Sequence, residues 1–300
     1  MKITSRFLAL FTIIFFSVAI SAATRVETVR LQSKLVNTTL PYNVILPDDY
    51  DTSPATRYPV LYLLHGLTGH YSDWVSRTNV ADYTSVYRII VVTPEGNDGW
   101  YSDSESVATD KYESYILKEL IPDVQQRYRT IEARYGRAVA GLSMGGYGAL
   151  KFGLKSPSTF VFAGSMSGAV GVTRLSEKEA GAERWATSLK LFGAVDSETR
   201  KTNDLFQIIN QLSPARISSL PFFYFDCGTE DSATIFPYNR ELAQLMADKK
   251  IPHEYRELPG DHSWGYWDTQ VQEVLRIAAQ KMRTPPINHS SLPKPKLKSN

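Results

Sequence analysis

Gly141-Leu142-Ser143-Met144-Gly145 constrains the fold more than any other stretch of this chain. The residues before it, Arg137-Ala138-Val139-Ala140, are short and mostly apolar, as a buried strand is. Those after it, Gly146-Tyr147-Gly148-Ala149-Leu150-Lys151-Phe152, read as a helix that starts at once. A serine pinned between strand and helix sits in an unfavourable backbone conformation, so the positions two before and two after it must lack a Cβ. Gly141 and Gly145 meet that demand. Ser143 is therefore the candidate nucleophile, with a serine in a glycine-rich turn as the plain alternative.

Two further segments extend the pattern. Leu61-Tyr62-Leu63-Leu64 is an apolar strand that ends in His65-Gly66-Leu67. In enzymes with a strand–serine–helix elbow, a loop after an earlier strand supplies one backbone N–H for a developing oxyanion, and the residue after the serine supplies the other. Leu67 and Met144 occupy those positions. His65 precedes the serine and reads as a turn or packing histidine, because the base in this arrangement follows the nucleophile. Downstream, the strand-like Leu220–Phe225 opens into Asp226-Cys227-Gly228-Thr229-Glu230-Asp231. A second strand, His253–Leu258, leads to Pro259-Gly260-Asp261-His262-Ser263-Trp264. His262 lies in a turn just past its strand and is the candidate base. Asp231 sits a few residues beyond its strand and is the candidate acid, with Glu230 and Asp261 as alternatives. Ser, Asp, His is the chain order of an α/β-hydrolase triad.

These segments, together with Trp100-Tyr101-Ser102-Asp103-Ser104, resemble the esterase D-type esterase family, which includes S-formylglutathione hydrolases, tributyrin, feruloyl and acetyl-xylan esterases, and mycolyltransferases. The likeness runs from about Val26 to Met282. It implies an α/β-hydrolase fold, a Ser143–Asp231–His262 triad, and Leu67 and Met144 as oxyanion donors. The substrate is left open. Asp261 departs from the pattern, since many members carry a second glycine before the histidine.

The coarse reading alternates strand and helix. An antiparallel pair (26–36 and 40–46) precedes strands at 59–64, 87–93 and 160–166. A helix is expected over 113–129, a polar, helix-capable insertion over 171–219, and helices over 235–250 and 266–283. Such alternation predicts a mostly parallel sheet with helices on both faces and a site at the carboxyl ends of the strands.

With 43% hydrophobic and 21% charged residues over 300 positions, the chain can bury the core of one α/β domain. A net charge of +2 without a basic, aromatic-interleaved stripe argues against a nucleic-acid partner. No phosphate loop, dinucleotide fingerprint or metal-ligand spacing is present, so neither cofactor nor metal is expected. Lys2 and Arg6, the 14-residue apolar run Phe7–Ile20 and Ser21-Ala22-Ala23 read as a secretory signal cleaved after Ala23. An uncleaved anchor is the alternative; the run is shorter than the roughly 20 residues a spanning helix needs. A secreted or periplasmic product with no stable membrane anchor is expected. Residues 24–283 form the expected domain, and 284–300, rich in Pro and Lys, an expected disordered tail. The lone Cys227 reads as a small buried hydrophobe.

Trp74, Trp100 and Trp264 are the candidate substrate-contacting residues, since aromatic faces suit sugar rings, aryl groups and acyl chains. Packing of the last helix is the alternative for Trp264 and the reading for Trp267; Trp185 lies in the insertion. The expected activity is hydrolysis of short acyl, feruloyl or acetyl esters of carbohydrates through an acyl-serine. Transfer of the acyl group to a sugar hydroxyl is the second reading. A silent carbohydrate-binding member is the third.

Overall fold

The computed structural model describes residues 24–283, so the expected signal (1–23) and tail (284–300) lie outside the described residues. Eight strands form one sheet: β1 (Arg25–Ser33), β2 (Thr38–Leu46), β3 (Val60–Leu64), β4 (Ile90–Pro94), β5 (Arg137–Leu142), β6 (Phe162–Met166), β7 (Phe222–Gly228) and β8 (His253–Leu258). Their spatial order is β1-β2-β4-β3-β5-β6-β7-β8. β1–β2 and β2–β4 pair antiparallel, and every later pair is parallel.

Central strands are apolar throughout because both faces of the sheet are covered. All five residues of β3 are buried. Their side chains alternate between two cores, as a two-residue period requires. Leu61 and Leu63 pack with Trp74, Val271 and Leu275 beneath the last helix, Trp264–Lys281. Tyr62 and Leu64 pack on the opposite face with Leu150, Ile116 and Leu242. The predicted insertion folds as five short helices between Glu177 and Ser218, which add Phe192, Leu205 and Ile209 to that second core.

The helix expected over 113–129 differs from a regular one. It runs from Tyr112 to Arg127 with a π-helical stretch at Ile116–Leu120. Pro122 is the second residue of the α-helical segment that follows, Ile121–Arg127. Proline has no N–H and its ring collides with the carbonyl four residues back, and a locally widened turn relieves both problems inside a continuous helix.

The order β4-β3-β5 places consecutive strands on opposite sides of β3, which makes the carboxyl ends of β3 and β5 a topological switch point. Ligand sites of open α/β sheets gather at such points. Leu64 pairs with Gly141 there, so the His65-Gly66 loop and Ser143 leave the sheet side by side.

Candidate active site

Ser143 caps the helix Met144–Lys155 with φ 51° and ψ −114°. That is a left-handed conformation for a residue with a Cβ, and holding it costs on the order of 1–3 kcal/mol. The surroundings over-determine it. Ser143 N–H donates to the Met166 carbonyl at 3.0 Å, and the Ser143 carbonyl accepts from Ala169 N–H at 3.0 Å. The two glycines have the expected steric cause. A Cβ on Gly141 would lie 2.5 Å from the Gly145 backbone, and one on Gly145 would lie 2.5 Å from the Leu64 carbonyl oxygen.

The structure brings Ser143, His262 and Asp231 into one hydrogen-bonded chain. His262 Nε2 lies 2.9 Å from Ser143 Oγ, and His262 Nδ1 lies 2.9 Å from Asp231 Oδ2. A carboxylate can only accept, so the Nδ1 proton donates to Asp231 and the Nε2 lone pair faces the serine hydroxyl. The Asp231 side chain is fully buried while His262 keeps 34% of its side-chain surface. Asp231 Oδ1 also accepts from Ser232 N–H at 2.6 Å. The alternative acids point elsewhere: the Asp261 carboxylate accepts from the Ser263 hydroxyl, and Glu230 is exposed.

The loop that bears His262 is fastened to the end of β7. Glu230 N–H donates to the Gly260 carbonyl at 2.9 Å, and a Cβ on Gly228 would fall 2.2 Å from that same oxygen. Gly260 adopts φ 138°, and Tyr266 fills the space beside it. Tyr266 O–H donates at 2.8 Å to Asp226, a carboxyl fully buried inside β7. Burial pushes Asp226 up to about 7, against the hydrogen bond from Tyr266. Trp267 meets the His262 ring edge-on at 4.9 Å.

Among the described residues, neither Leu67 N–H nor Met144 N–H donates to a protein group. A Cβ on Gly66 would stand 3.5 Å from the Ser143 Cβ, so the Leu67 peptide adjoins the serine. Unpaired amides at the first turn of a helix and beside it suit an anion.

The tryptophans divide. Trp74 is fully buried, donates through Nε1 to the Leu64 carbonyl at 3.1 Å and packs beneath the sheet. The expectation that it contacts substrate is corrected: its helix, Asp73–Arg77, turns the indole inward, where its N–H finds a backbone partner. Trp264 is half-buried between Trp74 and Trp267, with Arg77 over its ring at 5.5 Å, so it packs the last helix. Trp185 is half-buried and lines a cleft of about 630 Å³ in the insertion with Arg174 and Phe206. Trp100 stays half-buried at the surface, edge-on to Tyr147 at 5.9 Å.

Trp100 and the buried Tyr101 both adopt left-handed backbone, at φ 51° and 48°. A residue passed over in the sequence holds them. Lys151, fully buried on the helix that starts at Ser143, donates to the Tyr101 carbonyl at 2.8 Å and to the Asn203 side chain at 3.2 Å. It also lies 3.0 Å from Glu113. Burial lowers its pKa to about 8, opposed by Glu113. The readable signal was a lysine set between Leu150 and Phe152 in the apolar middle of its helix, since lysine is almost never fully buried unless paired.

Comparison with known proteins gives the family and the fold. The Esterase family model, described as "Putative esterase", matches residues 33–277. An esterase of Mycobacterium tuberculosis is 34% identical over 254 residues, 78% of this chain. The chain spans about half (54%) of that relative's length. An acetyl esterase of Caldicellulosiruptor saccharolyticus is 27% identical over 72% of this chain and 81% of its own. Among solved structures, a ferulic acid esterase superposes with TM-score 0.73 at 27% identity, covering 87% of this chain and 99% of its own. An S-formylglutathione hydrolase from Agrobacterium tumefaciens, at 21% identity and TM-score 0.75, covers 87% of this chain and 96% of its own and shares the fold. The architecture is thus that of the α/β-hydrolase esterases, and the chain belongs to the "Putative esterase" family.

Proposed function

We propose that this protein is an exported serine carboxylic-ester hydrolase that works through an acyl-serine and acts on short acyl, feruloyl or acetyl esters of carbohydrates. The hydrogen-bonded chain from Ser143 through His262 to the buried Asp231 carries the reading. His262 takes the Ser143 proton as Oγ attacks the ester carbonyl. Asp231 holds the Nδ1–H tautomer and stabilises the imidazolium. The Leu67 and Met144 N–H groups receive the oxyanion, and each such donor is worth about 3 kcal/mol of barrier. The C–O bond to the alcohol breaks, His262 returns the proton to the leaving oxygen, and water repeats the cycle to release the acid.

The carbohydrate-ester substrate is supported by the acetyl esterase and ferulic acid esterase likenesses, and by the half-buried Trp100. Export is supported by the basic start and apolar run before Thr24. The test is a panel of p-nitrophenyl esters of rising chain length beside feruloylated and acetylated sugars, with Ser143→Ala as control. The variant is expected to fold normally and to lose at least about 10³-fold in kcat/KM on every hydrolysed substrate. A folded Ser143→Ala protein with near-normal turnover removes the assignment.

Acyl transfer to a sugar hydroxyl is the second reading, favoured by a mycolyltransferase of Mycobacterium bovis that is 27% identical over 72% of this chain and 71% of its own. Trehalose or glucose added to the same assay distinguishes the two: a transferase releases acyl-sugar faster than free acid.

A further inference from the structure

We propose that His65 is a positioning residue for the oxyanion hole: its Nδ1–H grips the Gly66 carbonyl and so aims the Leu67 N–H of the same peptide at the Ser143 oxygen. The inference rests on the roles of Ser143 and Leu67 given above.

His65 is buried, 1% exposed, at the end of β3. Nδ1 lies 2.7 Å from the Gly66 carbonyl oxygen. That oxygen can only accept, so Nδ1 carries a proton. The other ring nitrogen accepts from Gly96 N–H at 2.8 Å, and the Glu95 carboxylate lies 3.3 Å from it. The two ring hydrogen bonds hold the imidazole, with the Tyr101 ring packed edge-on against it at 5.9 Å and Tyr101 O–H donating to the His65 carbonyl at 3.1 Å.

The Gly66–Leu67 peptide is trans, as are all the described bonds. In a trans unit the C=O and the following N–H point in opposite directions. Whatever fixes the Gly66 carbonyl therefore fixes the Leu67 N–H. Two donors fix it: His65 Nδ1–H, and Gly69 N–H at 3.1 Å across a turn whose third residue, Thr68, has φ 60°. The grip matters because residue 66 is a glycine, packed closely under Leu142. A Cβ there would strike the Leu142 side chain at 2.5 Å. A glycine-flanked peptide rotates with little steric resistance. A rotated one would present its carbonyl oxygen to the oxyanion instead of its N–H. Held to the His65 side, the carbonyl leaves Leu67 N–H free of any protein acceptor among the described residues and next to Ser143.

The test compares His65→Asn, His65→Gln and His65→Leu with the wild-type chain on p-nitrophenyl acetate. Asn places an amide N–H where Nδ1 stands and can still hold the Gly66 carbonyl. Gln places its amide where Nε2 stands and can serve only Gly96. Expected is a kcat about 100-fold lower in the Gln and Leu variants, with KM within about three-fold of wild type and kcat largely retained in Asn. A residue that merely supports the fold through Gly96 gives the reverse order, Gln better than Asn, and that order overturns the proposal. So do three folded variants with wild-type kcat. Should the variants not fold, ¹⁵N spectra of histidine-labelled wild type decide. A protonated His65 Nδ1 near neutral pH is expected, and an unprotonated Nδ1 overturns the grip. Failure of the underlying enzymatic reading looks different: the wild type itself then neither hydrolyses the ester nor takes a fluorophosphonate label on Ser143.

Discussion

Asp226 and Asp231 are five residues apart and should answer oppositely to neutralisation, and Asp226→Asn tests this through stability. The Asp226 carboxyl is fully buried in β7 and is raised from 3.8 to about 7, chiefly by burial. Tyr266 donates to one of its oxygens, and the other has no hydrogen-bond partner among the described residues. Between those two values the folded chain holds a proton that the unfolded chain has lost. Stability then falls with rising pH, by about 1.4 kcal/mol per unit for one such proton. Over about three units the fall approaches 4 kcal/mol, all of it present above pH 7 and none below about pH 4. Asparagine keeps an acceptor for Tyr266 O–H and carries no charge to desolvate. Its amide N–H₂ meets the site less well than a carboxylic acid does, which returns about 1 kcal/mol. Urea denaturation of both proteins from pH 4 to 8 gives the difference directly, with all other titrating groups common to the pair. Asp226→Asn is expected to be about 1–3 kcal/mol more stable than wild type at pH 8 and equal or slightly less stable at pH 4. A variant less stable at pH 8, or a difference that does not change with pH, refutes the reasoning.

Asp231→Asn should instead leave stability near wild type and lower kcat about 10⁴-fold, because an amide opposite Nδ1 stabilises the wrong tautomer. Glu230→Gln and Asp261→Asn should stay within about five-fold of wild-type activity, and a larger loss in Asp261→Asn than in Asp231→Asn means the acid is misassigned. Trp100→Ala should raise KM for aryl and sugar esters about five-fold, the value of one aromatic stacking face, with little change for p-nitrophenyl acetate; an equal loss on both esters shows a scaffold role instead. Exported protein should begin at Thr24 by N-terminal sequencing, and an intact Met1 in a membrane fraction contradicts signal cleavage.

The elements of this fold that depend on local sequence were readable from it. Gly141 and Gly145 are demanded by the turn at Ser143 whatever surrounds them, because their missing Cβ atoms would strike backbone within five residues or in the neighbouring strand. Strand and helix order followed from hydrophobic period, and the order of Ser143, Asp231 and His262 from the order of the strands that carry them. Strand ends shifted by a few residues: the acid-bearing strand runs through Asp226 to Gly228, beyond the apolar run that announced it.

What the tertiary structure decided were the contacts between residues far apart in the chain. Asp231 and His262 are 31 residues apart, and His262 and Ser143 are 119 apart. The selection among Asp231, Glu230 and Asp261 turns on which carboxylate is buried against Nδ1, a matter of loop direction that composition does not encode. Trp74 reads the same as Trp100 in the sequence. One indole is driven inward by a short helix with too few residues to show a period, while the other is held near the surface by strained backbone anchored on Lys151. His65 stood in a recognised motif, yet its two ring partners, Gly66 and Gly96, came together only when β3 and β4 lay side by side in the sheet.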